Sequence, residues 1–219
     1  NIHHTMTTIF IDTETSGLPK TRGWDDYYSY TDSAKYDSSR LVQICWIVCD
    51  GEEVKVKKTF TVRPEGFEIS EQVTKIHGIT HEHACLNGDS LDSVLKELEA
   101  DIKANNIRRL VAHNVRFDFN IVMSELHRQK MLGAADMMGS MKLKCTMSAS
   151  KDVCRIPSKW NPKQFKSPSL KELYEFLHPG ETFELKHRAD WDTEHCMKCY
   201  FALRKLALNA ECDEDQHKK

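Results

Sequence analysis

Three places in this 219-residue chain hold residue types whose spacing could do chemistry. The first is Asp12-Thr13-Glu14, directly behind Ile9-Phe10-Ile11. Side chains two apart on a strand share a face, so both carboxylates can enter one small volume. There they repel, and their pKa values shift unless a cation lies between them. Hard oxygen donors suit Mg²⁺ or Mn²⁺, which take a few carboxylates together with water and a phosphate oxygen. Short acidic pairs are common on surfaces. This one stands apart because it closes a β-branched and aromatic run, an odd place for two unpaired charges.

The second place is His113-Asn114-Val115-Arg116-Phe117-Asp118, which follows the apolar run Arg109–Ala112 and opens a helix. An acid in a first helical turn is favoured by the helix dipole whatever else it does, so Asp118 alone proves little. The third is His187-Arg188-Ala189-Asp190-Trp191-Asp192, again a loop entering a helix, where imidazole and carboxylate can face one cleft. An imidazole titrates near neutrality and can take a proton from water at such a site.

The elements that must position these residues can be read from pattern. Residues 8–11, 41–49 and 57–62 read as strands, with Arg109–Ala112 as another. Asp89 and Ser90 can cap a helix with Leu91, Val94, Leu95, Leu98 and Ile102 inward. Residues 117–131 read as a second helix, Ser169-Leu170-Lys171-Glu172 as the capping box of a third, and residues 191–208 as the last. The economical architecture is an α/β sheet with helices on its faces. Residues 19–40 form a long polar connection carrying Trp24, Tyr27, Tyr28, Tyr30 and Tyr36, a length that marks either disorder or function.

The bulk numbers fit one domain. Forty per cent hydrophobic and 29% charged residues are a globular mix, and no run approaches the ~18 apolar residues of a membrane span. Residues 1–5, ahead of Met6, are expected to be an expression remnant, residues 6–209 the domain, and residues 210–219 a polar, flexible tail. Eight irregularly spaced cysteines point to reduced thiols inside a cell, with cytoplasm and nucleus left open. The net charge of −2 hides a contrast. Residues 141–171 hold eight basic residues against Asp152 alone, a local +7 that leaves −9 for the remainder. Trp160 and Phe165 lie among those lysines, and basic residues with interspersed aromatics can follow a phosphate backbone and stack bases.

Taken in order, the three acidic places resemble the DEDDh exonucleases, a DnaQ-like family of the RNase H-like superfamily. Thr13, Thr15, Gly17 and Leu18 fill out the family's DTETTGL stretch, with Ser16 a departure, and Ile76-His77-Gly78-Ile79-Thr80 matches its IHGIT block. The resemblance spans residues 8–207. It implies an RNase H-like mixed central sheet flanked by helices, and a 3′-to-5′ exonuclease that releases nucleoside 5′-monophosphates from single-stranded DNA or RNA. It implies that Asp12, Glu14, Asp118 and Asp192 hold two divalent ions, Mg²⁺ or Mn²⁺, and that His187 is the general base. It further implies that Thr13, Thr15, Gly17, Leu18, His77, Asn114 and Phe117 seat the terminal nucleotide. The family's spacing between His and Asp selects Asp192 over Asp190, and Arg188 stands where a tyrosine subclass would need Tyr.

Other signals weigh less. Cys196-Met197-Lys198-Cys199 looks like half a zinc site, yet no second pair follows, and Cys196, Cys199, Tyr200, Leu203 and Leu206 make one apolar helical stripe. His81 and His83 beside Cys85 read as a solvated turn. The expected partner is a single-stranded 3′ end and no membrane is expected, while a homodimer or a polymerase partner is left open. The competing readings are a binding module that has lost catalysis, against which the full set of acids speaks, and a proofreading subunit, which would require a second chain.

Overall fold

The computed structural model describes residues 6–216, with side chains described through residue 208; residues 1–5 and 217–219, which include the expected remnant and the end of the tail, lie outside the described residues. The frame is a mixed five-stranded sheet. Strand β1 (Thr8–Thr15) leads through a small hairpin, β2 (Thr21–Gly23) and β3 (Asp26–Tyr27), to β4 (Leu41–Asp50) and β5 (Glu53–Thr61). Later in the chain come β6 (Arg109–Ala112) and β7 (Lys142–Cys145), and the order across the sheet is β5-β4-β1-β6-β7. Neighbours β5, β4 and β1 are antiparallel, while β6 and β7 run parallel to β1 and to each other. β4 is buried through Cys49, as a strand covered on both faces must be.

The alternation of β1 divides the core into two layers. Ile9 and Ile11 face helices α3 (Leu91–Ala104), α4 (Val115–Arg128) and α5 (Leu132–Gly139), in one large cluster with Trp46 and Leu95. Phe10 faces the other way, with Cys45 and Ile47, against Cys196 and Phe201 of the last helix, α9 (Ala189–Gln216). Short helices α1 (Glu71–His77) and α2 (His81–Asn87) close a small cluster around Val42 and Ile79. Two further short helices, α6 (Thr146–Ala149) and α7 (Lys151–Cys154), precede α8 (Leu170–Leu177), whose buried Leu173 and Tyr174 pack on Cys199 of α9. The caps form as read: the Ser90 hydroxyl accepts from the Ser93 amide, and Ser169 with Glu172 forms the capping box of α8.

Several bounds differ from those read in the sequence. β1 continues to Thr15 because the backbone of Asp12 and Glu14 stays in register with Cys45 and Gln43, although their side chains are polar. β5 begins at Glu53, its lysine-rich outer half belonging to an edge strand. The helix read over 117–131 is α4, which starts two residues earlier and ends at Arg128, before Lys130 takes φ 57°; α5, which follows it, was not read. Strand β7, Lys-Leu-Lys-Cys, and helices α1 and α2 lacked a legible pattern. The 19–40 connection is ordered: a hairpin and a 3₁₀ turn (Ser33–Tyr36) pin it, and the fully buried Tyr36 donates its hydroxyl to Tyr28 O at 2.7 Å. Helix α9 starts at Ala189 and continues past residue 208, since no Gly or Pro interrupts it.

Candidate active site

The site is built where β1 outruns its parallel neighbour. β1 pairs with β6 only from Thr8 to Phe10, so Asp12 and Glu14 have a ladder partner on the β4 side alone. They lie on the face of β1 that Phe10 turns toward α9, and there Asp192, in the first turn of α9, meets them. Oxygens of Asp12, Glu14 and Asp192 lie within 4.8 Å of one another. The start of α9 is fixed from both sides. Ala189 N donates to the Gln43 side chain at 3.0 Å, and Thr193 Oγ1 donates to Ala189 O at 2.6 Å.

Thr13 points to the opposite face, where α4 begins. Its amide and hydroxyl both donate to Asp118 Oδ1, at 3.0 and 2.8 Å, so one oxygen of that buried carboxylate is held in place. Asn114, at φ 73°, adopts the left-handed turn that Asn tolerates, and it makes no capping bond with its side chain.

Electrostatically the four acids form one group. Burial of the carboxyl, then the charges of Asp118, Asp192 and Glu14, hold Asp12 well above the usual carboxylate range. Burial and the charges of Asp192 and Asp118 push Glu14 up to about 8. Asp118 is raised to about 7 by burial, against the lowering effect of the Thr13 hydrogen bonds, and Asp192 to about 6, again chiefly by burial. Among the described residues no Lys, Arg or His forms an ion pair with any of the four. Crowded carboxylates with no ion-pair partner, Asp12, Glu14 and Asp192 within 4.8 Å of one another, fit a site for divalent metal.

His187 is exposed, with φ 44°, in the segment that leads into α9, and its charge lowers the pKa of Asp192. That segment is anchored by Phe183, which packs among Tyr174, Trp191 and His195. Asp190 is occupied by Arg188, Oδ2 to Nη2 2.8 Å, which keeps it apart from the cluster.

The residues expected to seat a nucleotide divide into two sets. Leu18, Asn114 and Phe117 line one cavity of about 520 Å³, with Trp24, Tyr27 and Met147 among its other walls. Thr13, Thr15, Gly17 and His77 lie outside that lining. Thr13 holds Asp118, and Thr15 Oγ1 closes the next turn on Gly17 O at 2.7 Å. Gly17 lets the chain pass Ser38, whose carbonyl oxygen would be 2.6 Å from a Cβ there. His77 is buried at the end of α1, with Nδ1 accepting from Ile79 N, so its imidazole shapes the Gly78 turn. Trp24, Tyr27, Met147, Ser148 and Ser167, with Pro19, Thr21, Gly23 and Asp25, complete the cavity and were not singled out from the sequence as its lining; the aromatic content of residues 24–36 was the one available signal. Cys196 and Cys199 are free and buried, core residues of α9 as their helical spacing indicated.

Comparison with known proteins bears on this geometry. No curated protein matches. Among solved structures, Exonuclease I of E. coli in complex with a dT13 oligonucleotide aligns over 95% of this chain and 43% of its own, with TM-score 0.68 and 17% identity. The zinc-bound form of the same enzyme in complex with single-stranded DNA aligns over 92% and 41%, with TM-score 0.65 and 16% identity. The chain thus spans about two-fifths of Exonuclease I, and the likeness establishes the RNase H-like fold. The family model described as RNase T exonuclease matches residues 9–200, a span that contains every acid of the site. The resemblance read from the motifs therefore holds, and the chain belongs to the RNase T exonuclease family.

Proposed function

We propose that the chain is a nuclease that removes nucleotides one at a time from the 3′ end of single-stranded DNA or RNA, leaving nucleoside 5′-monophosphates. One observation carries the reading: the carboxylates of Asp12, Glu14 and Asp192 lie within 4.8 Å of one another, with the charge of Asp118 felt by Asp12 and no Lys or Arg paired to any of the four among the described residues. Asp12, Glu14, Asp118 and Asp192 would hold two divalent ions. When bound, such ions supply Lewis-acid activation of a water and neutralise charge on the leaving 3′ oxygen. The chain's own residues do the rest. Thr13 fixes the Asp118 carboxylate through Oδ1. Gln43 and Thr193 set the start of α9 and with it Asp192. His187, exposed beside Asp192, takes the proton of the attacking water as general base. The cavity holds the terminal nucleoside while the phosphate lies over the acids. Exonuclease I, in the solved complexes, binds single-stranded oligonucleotides in this fold, which supports a like substrate here.

The test uses end-labelled single-stranded DNA and RNA with Mg²⁺, with Mn²⁺ and with chelator. The wild type is expected to shorten both or one of them from the 3′ end only when metal is present, and Asp12→Ala and His187→Ala to lose most of that activity. Metal-independent cleavage, or an Asp12→Ala variant as active as the wild type, would overturn the reading.

A further inference from the structure

The hairpin β2–β3, a separate two-stranded sheet, lies in the connection from the acidic strand β1 to β4. Trp24, in its turn, is 93% exposed. A large indole left in water is a recognition feature when it borders a concave site. This one does, since Trp24 and Tyr27 form one wall of the 520 Å³ cavity whose other walls are Leu18, Phe117 and Met147.

The hairpin is held in place. Asp25 Oδ2 lies 3.1 Å from Arg116 Nη1 on the first turn of α4, two residues from Asp118. The Arg116 guanidinium also lies over the Tyr27 ring, and the Tyr27 hydroxyl lies against the Asn114 side chain. At its base, Arg22 and Lys35 both lie over the Tyr28 ring. These contacts fix the backbone that carries Trp24 and leave the indole itself free.

The lining decides what the wall can bind. Asp25 is its only charged member and is already paired with Arg116; the remaining polar groups are neutral, Thr21, Asn114, Ser148 and Ser167. Such a surface has no cation to hold a phosphate, and the Asn114 amide, its best group for reading a base edge, is engaged by the Tyr27 hydroxyl. It presents aromatic and aliphatic faces, which suit the face of any nucleobase.

We propose that Trp24 is a specificity-determining residue: its indole stacks on the base of the nucleotide held in the cavity, so that the protein senses the presence of a base at the 3′ end and not its identity. The proposal deepens the exonuclease reading above and rests on it for the orientation of the bound strand.

The full chain is tested with two kinds of single-stranded oligonucleotide. One set ends at its 3′ side in each natural base or in an abasic residue and is followed for cleavage with Mg²⁺ or Mn²⁺. The other ends in 2-aminopurine and is followed by fluorescence in chelator, where binding is read without catalysis. The wild type is expected to prefer any terminal base over the abasic end by about 5- to 150-fold in kcat/KM, the equivalent of ~1–3 kcal/mol for one stacked base. The four bases are expected to differ little among themselves. Trp24→Ala should bring base and abasic ends close together, with the loss falling on KM, and Trp24→Phe should restore most of the preference. Binding should quench 2-aminopurine in the wild type and not in Trp24→Ala. Retention of the full preference by Trp24→Ala, or no quenching by the wild type, would overturn the proposal. Quenching that depends on Trp24 in a protein that cuts nothing would sink the exonuclease reading while leaving the base-stacking site standing. Because Trp24 packs against nothing else, its removal leaves the fold intact.

Discussion

Asp118 and Glu125 lie two turns apart on α4, and both are buried. Glu125 is surrounded by protein cations and donors: Arg40 Nε at 2.7 Å, Arg128 Nε at 3.3 Å and the Leu41 amide at 3.1 Å. Asp118 receives only Thr13, and its charged neighbours are other acids. Asp101, on α3, follows Glu125 in kind, with Lys58 at 2.8 Å and the Trp46 indole at 2.9 Å. A buried acid that serves the fold brings its own counter-charge, because an unpaired one costs several kcal/mol. The acids around β1 have no Lys or Arg paired to them among the described residues, and only the exposed His187 near Asp192 offsets their charge. That makes them a source of instability in the protein alone and fits them to take a cation from solution.

The contrast can be broken at either end. The largest expected effect is Asp118→Asn, which keeps the acceptor for Thr13 and removes the charge: activity should fall ~10²–10³-fold, the scale of removing one group that stabilises a transition state. Its melting temperature without metal should equal or exceed that of the wild type, and a marked drop would show that Asp118 serves the fold as Glu125 does. Next, Glu125→Ala should cost about 3–5 kcal/mol in urea or thermal unfolding, since it strands Arg40 in a buried place. Glu125→Gln, which keeps an acceptor for Leu41 N, should cost less. Loss of activity from Glu125→Gln without loss of stability would erase the distinction between the two acids.

A smaller effect follows from pH. The carboxyls of Glu14, Asp118 and Asp192 are raised to about 8, 7 and 6 in the folded protein. The folded state therefore binds more protons than the unfolded chain above pH ~4, and stability falls as pH rises from there. In chelator, the melting temperature should decline from about pH 4 to about pH 8, and saturating Mg²⁺ or Mn²⁺ should flatten or reverse that slope. A metal-free protein that gains stability over this range through these groups would contradict the repulsion. The smallest effect concerns a third kind of charge, exposed and without an ion-pair partner among the described residues, such as Lys159 and Lys163 on the basic segment. Replacing both by Ala should leave stability unchanged and reduce the salt slope of single-strand binding by about 1.4 if each meets a phosphate.

The contrast between these acids was half legible in the sequence. Asp12 and Glu14 announced themselves because polar residues closed an apolar run, and order with His187 and Asp192 supplied the rest. The counter-charges of Glu125 were invisible, since Arg40 lies 85 positions away and only the fold brings them together. The same holds for Thr13, whose partner Asp118 is 105 positions distant, so its support of that carboxylate could not be read from the sequence. Capping boxes and amphipathic helices were readable because their partners are local. The hairpin was not, because Thr21-Arg22-Gly23 and Asp26-Tyr27 are too short and polar to show a period of two.

The anchors on either side of His187 have a mechanical consequence. Phe183 and Ala189 are buried, and only five residues, 184–188, hang between them in solvent. Such a span is a short leash, pinned at its ends by Phe183 and Ala189 and in its middle by Lys186, whose Nζ lies 3.8 Å from the centre of the Trp191 ring, so the imidazole stays within reach of Asp192. In the proposed reaction, release of a mononucleotide would then need only that surface segment to rearrange, with the sheet and α9 standing still.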